Sequence, residues 1–319
     1  MSDEPRKLDL IQRYAQRLGE AETNVAEFLA PANAEPVARS GSKPGLDTAV
    51  VVPVAQAQRA PPGAGRQQQS PAPPKSREGS ARIEIDLDRL ARMGFIVPEG
   101  ETMTQLVEQL QIIKRPLIQK AMATGRGAVR NGNSVMVTSA KQNEGKSFVA
   151  LNLAMSIASE RDLSVMLLDA DLYNQSVPSM LGVKIERGLV DVLLDETLDI
   201  ADVLMRTNIP NLTILPAGRK HAHINELLSS QRMSRLMREV ASRYSNRIII
   251  VDSPPVLAST EAGILASQVG QIVMVVEQNK TGWRLVERSL ARLTDCPDIS
   301  FVLNKVEPMW DENFGASYR

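Results

Sequence analysis

Short apolar runs, each bounded by polar residues, recur through the C-terminal two-thirds of the chain. They predict six β-strands, at Ser134–Ser139, Ser164–Leu168, Leu212–Leu215, Arg247–Val251, Gln271–Val276 and Ser300–Leu303. Amphipathic segments separate these runs and predict helices at Lys146–Ser159, Asn225–Tyr244, Glu261–Ser267 and Gly282–Thr294. Strands that alternate with helices favour a doubly wound α/β fold with a mostly parallel sheet. Ligands of such folds bind at the carboxyl ends of the strands, so functional side chains are expected directly after them.

The region before the first predicted strand has a different pattern in each of its parts. Residues 1–29 are charged and carry an apolar stripe, which predicts an amphipathic helix that needs a partner surface. Residues 30–80 are rich in Pro, Ala, Gly, Gln and Ser, which predicts a disordered linker. The apolar pattern then resumes, so we place a folded domain with a short C-terminal tail at 81–319. Within it, Thr104 is expected to N-cap a helix that runs to Met122.

Composition narrows the classes of protein that the chain can belong to. Hydrophobic residues make up 43% of the chain but aromatic residues only 3%, so the core must be aliphatic, as in a parallel sheet covered on both faces. The formal net charge of +0 argues against a general nucleic-acid binder. The single cysteine, Cys296, excludes an intrachain disulfide and fits a reducing compartment. The first residues are charged, and no apolar run approaches the ~20 residues of a membrane span, so we expect neither a signal peptide nor a span.

The loop after the first predicted strand fits the phosphate-binding pattern G-x-x-x-x-G-K-[ST], with Ala140 in place of the first glycine. Lys146 is predicted to reach the β- and γ-phosphates of a nucleoside triphosphate, and Ser147 to hold Mg²⁺. Asn143 stands where a second glycine is common. Because Asn tolerates left-handed dihedral angles, the loop can keep its curl. The residues of this loop predicted to contact the nucleotide are Ala140, Lys141, Asn143, Glu144, Gly145, Lys146 and Ser147.

Two further predicted strands end in carboxylates. Asp169 and Asp171 leave the second strand two residues apart, a geometry that can present both to a metal ion and an incoming hydroxyl group. Asp252 closes a β-branched run, which is the Walker B arrangement for orienting Mg²⁺ or its water. Each of the three could instead be an ordinary strand-end carboxylate that caps a helix or faces solvent. Their occurrence beside a phosphate-binding loop favours the catalytic interpretation.

These three elements together resemble the bacterial tyrosine kinases, whose P-loop domain has a Walker A motif, an acidic D-x-D motif and a Walker B motif that ends in D-[ST]-P-P. The resemblance covers residues 82–319 and points to the branch found with exosortase and exopolysaccharide gene clusters. Further phrases that match this branch are Ile113–Pro116, Val137–Ala140, Leu215–Gly218, Asn225–Leu228 and Leu303–Lys305.

The resemblance implies ATP and Mg²⁺ as ligands and a role for each matching residue. Asp171 would be the base for a tyrosine hydroxyl group, and Asn304 would contact the adenine edge. By the same resemblance, the catalytic residues are Lys146, Asp169 and Asp171, and the metal ligands are Ser147, Asp169 and Asp252.

Three features depart from the family pattern. Tyr173 stands where the D-x-D motif usually continues with an arginine. In the helix before the P-loop, Gln111 and Lys114 replace the two arginines of the ring-assembly motif E-x-x-R-x-x-R, and the tail offers Tyr318 rather than a tyrosine cluster. The favoured interpretation is an ATP-dependent tyrosine autokinase that phosphorylates Tyr318 in trans. The alternative is a ParA/MinD-like regulatory ATPase, or a degenerate kinase that acts as a nucleotide-gated scaffold.

Partners and location are also implied by the resemblance. We expect a membrane polysaccharide co-polymerase or chain-length protein as partner, self-association, and no nucleic acid. The protein would regulate exopolysaccharide biosynthesis or export. It would be cytoplasmic and peripheral at the inner membrane through its partner, with residues 1–29 as a candidate contact.

Overall fold

The strands of the protein form one mixed sheet. The computed structural model describes residues 50–52, 82–97, 104–125, 128–243, 246–296 and 298–306, all within a unit that spans 45–319. The predicted helix at 1–29 and the residues Tyr244 and Tyr318 lie outside the described residues. In chain order the strands are β1 (Val50–Val52), β2 (Ser134–Ser139), β3 (Ser164–Asp169), β4 (Met205–Arg206), β5 (Leu212–Leu215), β6 (Arg247–Asp252), β7 (Gln271–Glu277) and β8 (Ile299–Asn304).

Parallel pairing dominates the sheet, as the sequence predicts. The strand order is β1-β8-β7-β2-β6-β3-β5-β4, and the six strands from β8 to β5 run parallel to their neighbours. Both edges are antiparallel, because β1 pairs with β8 and β4 pairs with β5. The carboxyl ends of β2, β3, β6, β7 and β8 therefore meet at one edge of the sheet.

Helices cover both faces of this sheet. They are α1 (Leu87–Arg92), α2 (Gln105–Ala121), α3 (Lys146–Ala158), α4 (Ser176–Leu181), α5 (Leu189–Leu194), α6 (Ile200–Val203), α7 (Ile224–Leu228), α8 (Gln231–Arg243), α9 (Glu261–Ala266) and α10 (Trp283–Leu290). Side chains of β2 alternate between two cores: Val135 and Val137 pack in the core with α2 and α3, whereas Met136 packs in the core with α8. No helix in the described residues is long and apolar enough to cross a membrane.

The predicted strands of the parallel sheet are confirmed to within a residue or two, whereas two of the predicted helices differ from the structure. The segment predicted as a single helix from Asn225 to Tyr244 is two helices, α7 and α8, separated by Ser229 and Ser230. The Ser230 hydroxyl group accepts a hydrogen bond from the Met233 N–H and donates one to the carbonyl of the preceding helix. A serine that bonds the backbone in this way ends one helix and begins the next.

The helix before the P-loop begins as predicted. The Thr104 side chain accepts the N–H of Val107, which confirms the N-cap, and Pro116 lies inside α2. The predicted helix at Gly282–Thr294 is shorter, because α10 ends at Leu290.

The prediction of a disordered linker over residues 30–80 does not hold for β1. Val50–Val52 pairs with Phe301–Leu303 as an antiparallel edge strand. Three consecutive β-branched residues favour a strand, but the Pro- and Gln-rich composition of the whole segment hides so short a run. The remainder of the predicted linker lies outside the described residues. At the opposite edge of the sheet, Arg82 forms an isolated bridge to Arg206 of β4.

Lys114 joins α2 to the end of α3 through a buried charge. Its side chain is 2% exposed, and its Nζ donates to the Ser156 carbonyl at 2.9 Å and pairs with Glu160 Oε1 at 2.7 Å. Because the carbonyls at the end of a helix lack helical partners, the ammonium both satisfies one of them and gains a carboxylate. Lys114 stands where the E-x-x-R-x-x-R motif has its second arginine, and its side chain forms contacts within this chain.

Replacing Glu160 with Gln should destabilise the fold by about 1–3 kcal/mol, because the buried ammonium of Lys114 loses its carboxylate. Urea unfolding of the purified protein measures this loss. The matched control is Glu239→Gln, which breaks the exposed pair between Glu239 and Arg243. That control should change the free energy of unfolding by less than about 0.5 kcal/mol. Equal losses in the two variants would contradict the role given to Lys114.

Candidate nucleotide-binding site

The P-loop lies between β2 and α3 and has the curl that its sequence predicts. Gly145 is the N-cap of α3 with φ 96°, and Asn143 has φ 67°, so both adopt left-handed backbone conformations. A side chain at Gly145 is disfavoured, since a Cβ there would collide with the Asn304 amide and the positive φ would strain any L-residue. The prediction that Asn143 takes a left-handed conformation is therefore confirmed, and the loop presents the N-terminus of a helix as an anion site.

The carboxylates converge because their strands are neighbours. Asp169 and Asp252 are register partners at the ends of β3 and β6, and the Ala170 N–H donates to the Asp252 carbonyl at 2.8 Å. Asp171 follows two residues later. All three side chains are 0% exposed. The fold thus places three carboxylates together, away from water, beside the P-loop.

Lys146 provides the cation of this cluster. Its Nζ lies 2.6 Å from Asp171 Oδ2 and 3.2 Å from Ser147 Oγ. Burial lowers the pKa of Lys146, but the carboxylates of Asp252 and Asp171 outweigh that effect and hold this pKa above its ordinary value. The lysine is therefore a fixed ammonium group in the site.

One ammonium does not compensate three carboxylates. Burial, followed by the charges of Asp252 and Asp171, raises the pKa of Asp169 well above its ordinary value. Burial raises the pKa of Asp252 to about 6, although Lys146 opposes the shift. The Asp171 N–H lowers the pKa of Asp169 and the Ser147 hydroxyl group lowers that of Asp252, but among the described residues neither contact has the geometry of a full hydrogen bond. Buried, unpartnered carboxylates beside Ser147 fit a divalent cation, whose charge would relieve both effects.

Mg²⁺ commonly binds through one or two protein ligands and completes its shell with phosphate oxygens and water. The described residues contain no group of three or more His, Cys, Asp or Glu residues arranged to hold a metal. The donors available here are the Ser147 hydroxyl group and the carboxylates of Asp169 and Asp252, the set that the sequence predicts.

The segment after Asp171 is tied down at several points. Asn174 donates to the Asp171 carboxylate from its backbone and side chain, at 3.2 and 3.1 Å, and Gln175 Nε2 reaches the Gly218 carbonyl at 3.1 Å. Gln175 has φ 43°, an unusual left-handed conformation for a residue other than glycine. The Ser176 hydroxyl group donates to Ser147 Oγ at 2.7 Å, which joins this segment to the P-loop.

Tyr173 stands at the position of the missing arginine, and its side chain is 48% exposed. Its hydroxyl oxygen lies 2.6 Å from Asn225 Oδ1 and 3.0 Å from Glu261 Oε1. Burial raises the pKa of Tyr173, and so does its hydrogen bond to Glu261, because a neighbouring carboxylate disfavours a phenolate. Tyr173 is thus held beside the site as a neutral hydrogen-bond donor.

The remaining predicted loop residues have contacts within the protein. Asn304 Nδ2 donates to the Glu144 carbonyl at 2.8 Å, so this amide supports the P-loop, and its contact with adenine stays a prediction. Lys141 Nζ reaches the Lys280 carbonyl at 3.3 Å. Ala140 is buried at the end of β2, and its carbonyl accepts the Leu257 N–H.

The predicted assembly residues lie on α2, and the predicted acceptor is Tyr318. On α2, Glu108 is exposed and Gln111 is half-buried, whereas Lys114 is buried in its intrachain pair. Tyr318 is outside the described residues, so its role stays a prediction.

Sequence reasoning missed three residues of the site. Ser176, Glu261 and Thr281 each contact a predicted site residue: Ser147, Tyr173 and Glu144, respectively. Ser176 lies five residues after Asp171, close enough to be noticed. Glu261 follows the motif at Asp252 to Pro255 without any local signal of its own, and Thr281 is far from every motif, so only the fold brings the two to the site.

Residues 130–304 match a family described as ParA: NUBPL iron-transfer P-loop NTPase. Among curated relatives, the tyrosine-protein kinase YwqD of Bacillus subtilis (strain 168) is 34% identical over 167 residues, which are 52% of this chain and 69% of that protein. The tyrosine-protein kinase wzc of Salmonella typhi is 34% identical over 160 residues, which are 50% of this chain and 22% of wzc. The chain thus spans only about a fifth of the length of wzc.

Solved structures agree with this relationship. The kinase domain of VpsO is 30% identical with a TM-score of 0.50, and the match covers 55% of this chain and 85% of that one. The kinase domain of the Escherichia coli tyrosine kinase ETK has a TM-score of 0.55 over 74% of this chain and 95% of its own. At 23% identity, the second likeness supports the fold alone.

The raised pKa of Asp252 predicts how stability depends on pH and Mg²⁺. In the folded state the Asp252 carboxyl group keeps its proton up to a pH of about 6, whereas its ordinary pKa is 3.8. The contribution of Asp252 to the free energy of unfolding should therefore be complete at low pH and should be lost as the pH rises from 3.8 to about 6. The loss is about 3 kcal/mol at most, since a tenfold change in proton affinity corresponds to about 1.4 kcal/mol. Mg²⁺ binds the ionised carboxylate, so it should raise the unfolding temperature at pH 7.5 and leave it unchanged near pH 5.

Asp252→Asn tests the same prediction. This variant should be more stable than the wild type at pH 7.5 without Mg²⁺, and Mg²⁺ should no longer stabilise it. Asp162→Asn is the control, because Asp162 is exposed and remote from the cluster. The measurement is the unfolding temperature of each variant at pH 7.5 and near pH 5, with and without Mg²⁺. Equal Mg²⁺ stabilisation of the Asp252→Asn variant and the wild type would refute the assignment of the cation site.

Proposed function

This chain belongs to the bacterial tyrosine-kinase family of P-loop NTPases, and we propose that it is an ATP-dependent protein-tyrosine autokinase that regulates exopolysaccharide biosynthesis or export. The observation that carries the proposal is the buried ion pair between Lys146 and Asp171, at 2.6 Å. It joins the phosphate-binding lysine of the P-loop to the acid expected to accept the proton of a tyrosine hydroxyl group. The tyrosine-protein kinases named above are similar to this chain over about half of its length, which supports the same chemistry here.

The ion pair suggests how phosphate binding and proton transfer are linked. When the phosphates of ATP enter the P-loop, Lys146 gains a stronger anionic partner and its hold on Asp171 weakens. The freed carboxylate can then accept the proton of an incoming tyrosine, whose ordinary pKa of about 10 requires a base at neutral pH. Asn174 keeps the Asp171 carboxylate in place during this exchange.

Mg²⁺ would be held by Ser147, Asp169 and Asp252, and it would neutralise charge on the phosphates during transfer. Around it, the chain itself excludes water, since these side chains are at most 4% exposed. Ser176 fixes the Ser147 hydroxyl group through their 2.7 Å hydrogen bond.

A regulatory ATPase or a nucleotide-gated scaffold is the second candidate function. It is favoured by Tyr173, whose single hydroxyl proton is shared between the oxygens of Asn225 and Glu261 and so links the segment after Asp171 to both. A segment held in this way provides hydrogen bonds within the chain but no cation for an incoming substrate. Nucleotide binding would then change the surface of the protein without phosphate transfer to tyrosine.

Tyr318 is the expected acceptor, and a mixing experiment tests it. The Lys146→Met variant should bind Mg-ATP at least about tenfold more weakly than the wild type, because the charged contact is lost, and it should not phosphorylate itself. A size-tagged Lys146→Met chain is incubated with wild-type enzyme and Mg-ATP, and its phosphotyrosine is mapped by mass spectrometry. We expect phosphate on Tyr318 of the tagged chain.

The control acceptor carries both Lys146→Met and Tyr318→Phe and should lose most of the label. Phosphate on another tyrosine would assign the acceptor role to that residue and would still support the kinase activity. Intact ATP hydrolysis without phosphotyrosine on either chain would instead establish the regulatory-ATPase candidate.

Residues 1–29 are proposed to recruit the protein to a polysaccharide co-polymerase at the membrane. Their apolar stripe, Leu8 to Leu18, supports a helix that binds a partner surface. Deleting residues 1–29 should lower the membrane-bound fraction of the protein in cells. The point variant Leu10→Ser, Leu18→Ser should act in the same direction, whereas Lys7→Ser, on the charged positions, should have little effect. Full membrane association after the deletion would place the contact elsewhere.

A further inference from the structure

Glu144 puts a negative charge inside the loop that is predicted to hold phosphate. It lies between Asn143 and Gly145, and its side chain is 1% exposed. A carboxylate that faced the phosphates would repel them, and in a partly buried site such repulsion is far stronger than in water. The direction in which this carboxylate is held therefore affects nucleotide affinity.

Both carboxylate oxygens of Glu144 are engaged in the structure. Oε2 accepts the backbone N–H of Lys141 at 2.8 Å, a contact within the loop itself. Oε1 accepts the hydroxyl group of Thr281, which comes from the turn after β7. The Thr281 oxygen in turn accepts the Glu277 N–H at 3.3 Å, so its own proton is directed to Glu144.

Backbone carbonyls of the same loop are held from the same side. Asn304 Nδ2 donates to the Glu144 carbonyl at 2.8 Å, and Lys305 Nζ donates to the Asn143 carbonyl at 2.5 Å. These contacts fix the course of the loop but do not touch the carboxylate. Thr281 is the residue from outside the loop that donates to the carboxylate itself.

We propose that Thr281 is a positioning residue for nucleotide binding, which keeps the Glu144 carboxylate turned away from the phosphate site. This inference rests on the nucleotide-binding part of the proposed function. Without the hydroxyl group, one oxygen of a buried carboxylate loses its partner, and the side chain turns to find another donor. The carboxylate already accepts one N–H of the P-loop, that of Lys141. The other N–H groups of the same loop adjoin it in the chain, and they are the groups that phosphate needs.

Thr281→Val removes the hydroxyl group and keeps the shape of the side chain. Titration of the full chain with Mg-ADP should give an affinity about tenfold lower than that of the wild type, because phosphate must then displace a hydrogen bond between the turned carboxylate and a P-loop N–H. Thr281→Ser restores the hydroxyl group and should bind within about twofold of the wild type. The matched control is Thr213→Val, which removes a hydroxyl group that donates to the Val165 carbonyl in the sheet and should leave Mg-ADP affinity unchanged.

A double-mutant cycle shows whether Thr281 acts through Glu144. In a Glu144→Ala background there is no carboxylate to restrain, so Thr281→Val should no longer weaken Mg-ADP binding. A merely structural role would lower affinity equally in both backgrounds. The cycle thus separates positioning from general destabilisation, even where Thr281→Val also lowers the unfolding temperature.

Two results would overturn the inference alone: wild-type affinity in the Thr281→Val variant, or a tenfold effect that persists in the Glu144→Ala background. Failure of the wild-type chain to bind Mg-ADP would remove the P-loop assignment and this inference with it. The same titration series therefore distinguishes the two failures.

Discussion

The buried charge at the carboxyl edge of the sheet is the constraint on which the site depends. Asp169, Asp171 and Asp252 are fully buried, and Lys146 pairs with Asp171 among them. Burying carboxylates without partners costs several kcal/mol each, so the cluster destabilises the ligand-free fold. Mg²⁺ and a nucleotide would bring a cation for the carboxylates and phosphates for Lys146 together, which explains why the two ligands are expected to bind as one complex.

The buried central strands of the sheet hold these carboxylates in place. Strands β2, β3, β6 and β7 are almost completely buried, and their backbone ladders hold the carboxylates in register. Because side chains on a strand alternate in direction, the sheet cannot slip by one residue without moving every core residue to the wrong face. The rigid ladder therefore keeps Asp169 and Asp252 side by side despite their repulsion.

Local signals in the sequence account for what could be predicted. Apolar runs, strand-end carboxylates and the loop around Lys146 each depend on neighbours a few residues away, and these predictions agree with the structure. Contacts between distant segments could not be predicted in this way. Thr281 meets Glu144 across 137 residues, and β1 joins the sheet from a segment whose composition indicates a linker. The break between the two helices at Ser229 and Ser230 could not be predicted, because serine occurs both inside helices and at their ends.

Tyr173 links the structure to the choice between the two candidate functions. An arginine at this position would bring a fixed positive charge to the segment after Asp171, close to the transferring phosphate. Tyrosine brings none, and its hydroxyl group instead bonds to Asn225 and Glu261. Glu261 is 1% exposed, and its second oxygen accepts no hydrogen bond among the described residues, so Tyr173 leaves this buried carboxylate only partly satisfied. The site thus keeps the P-loop lysine and the acids, while the electrostatics around Tyr173 differ. Under the proposed function, that difference decides whether the γ-phosphoryl group of ATP is transferred to a tyrosine, with ADP as the leaving group, or whether bound ATP serves as a switch.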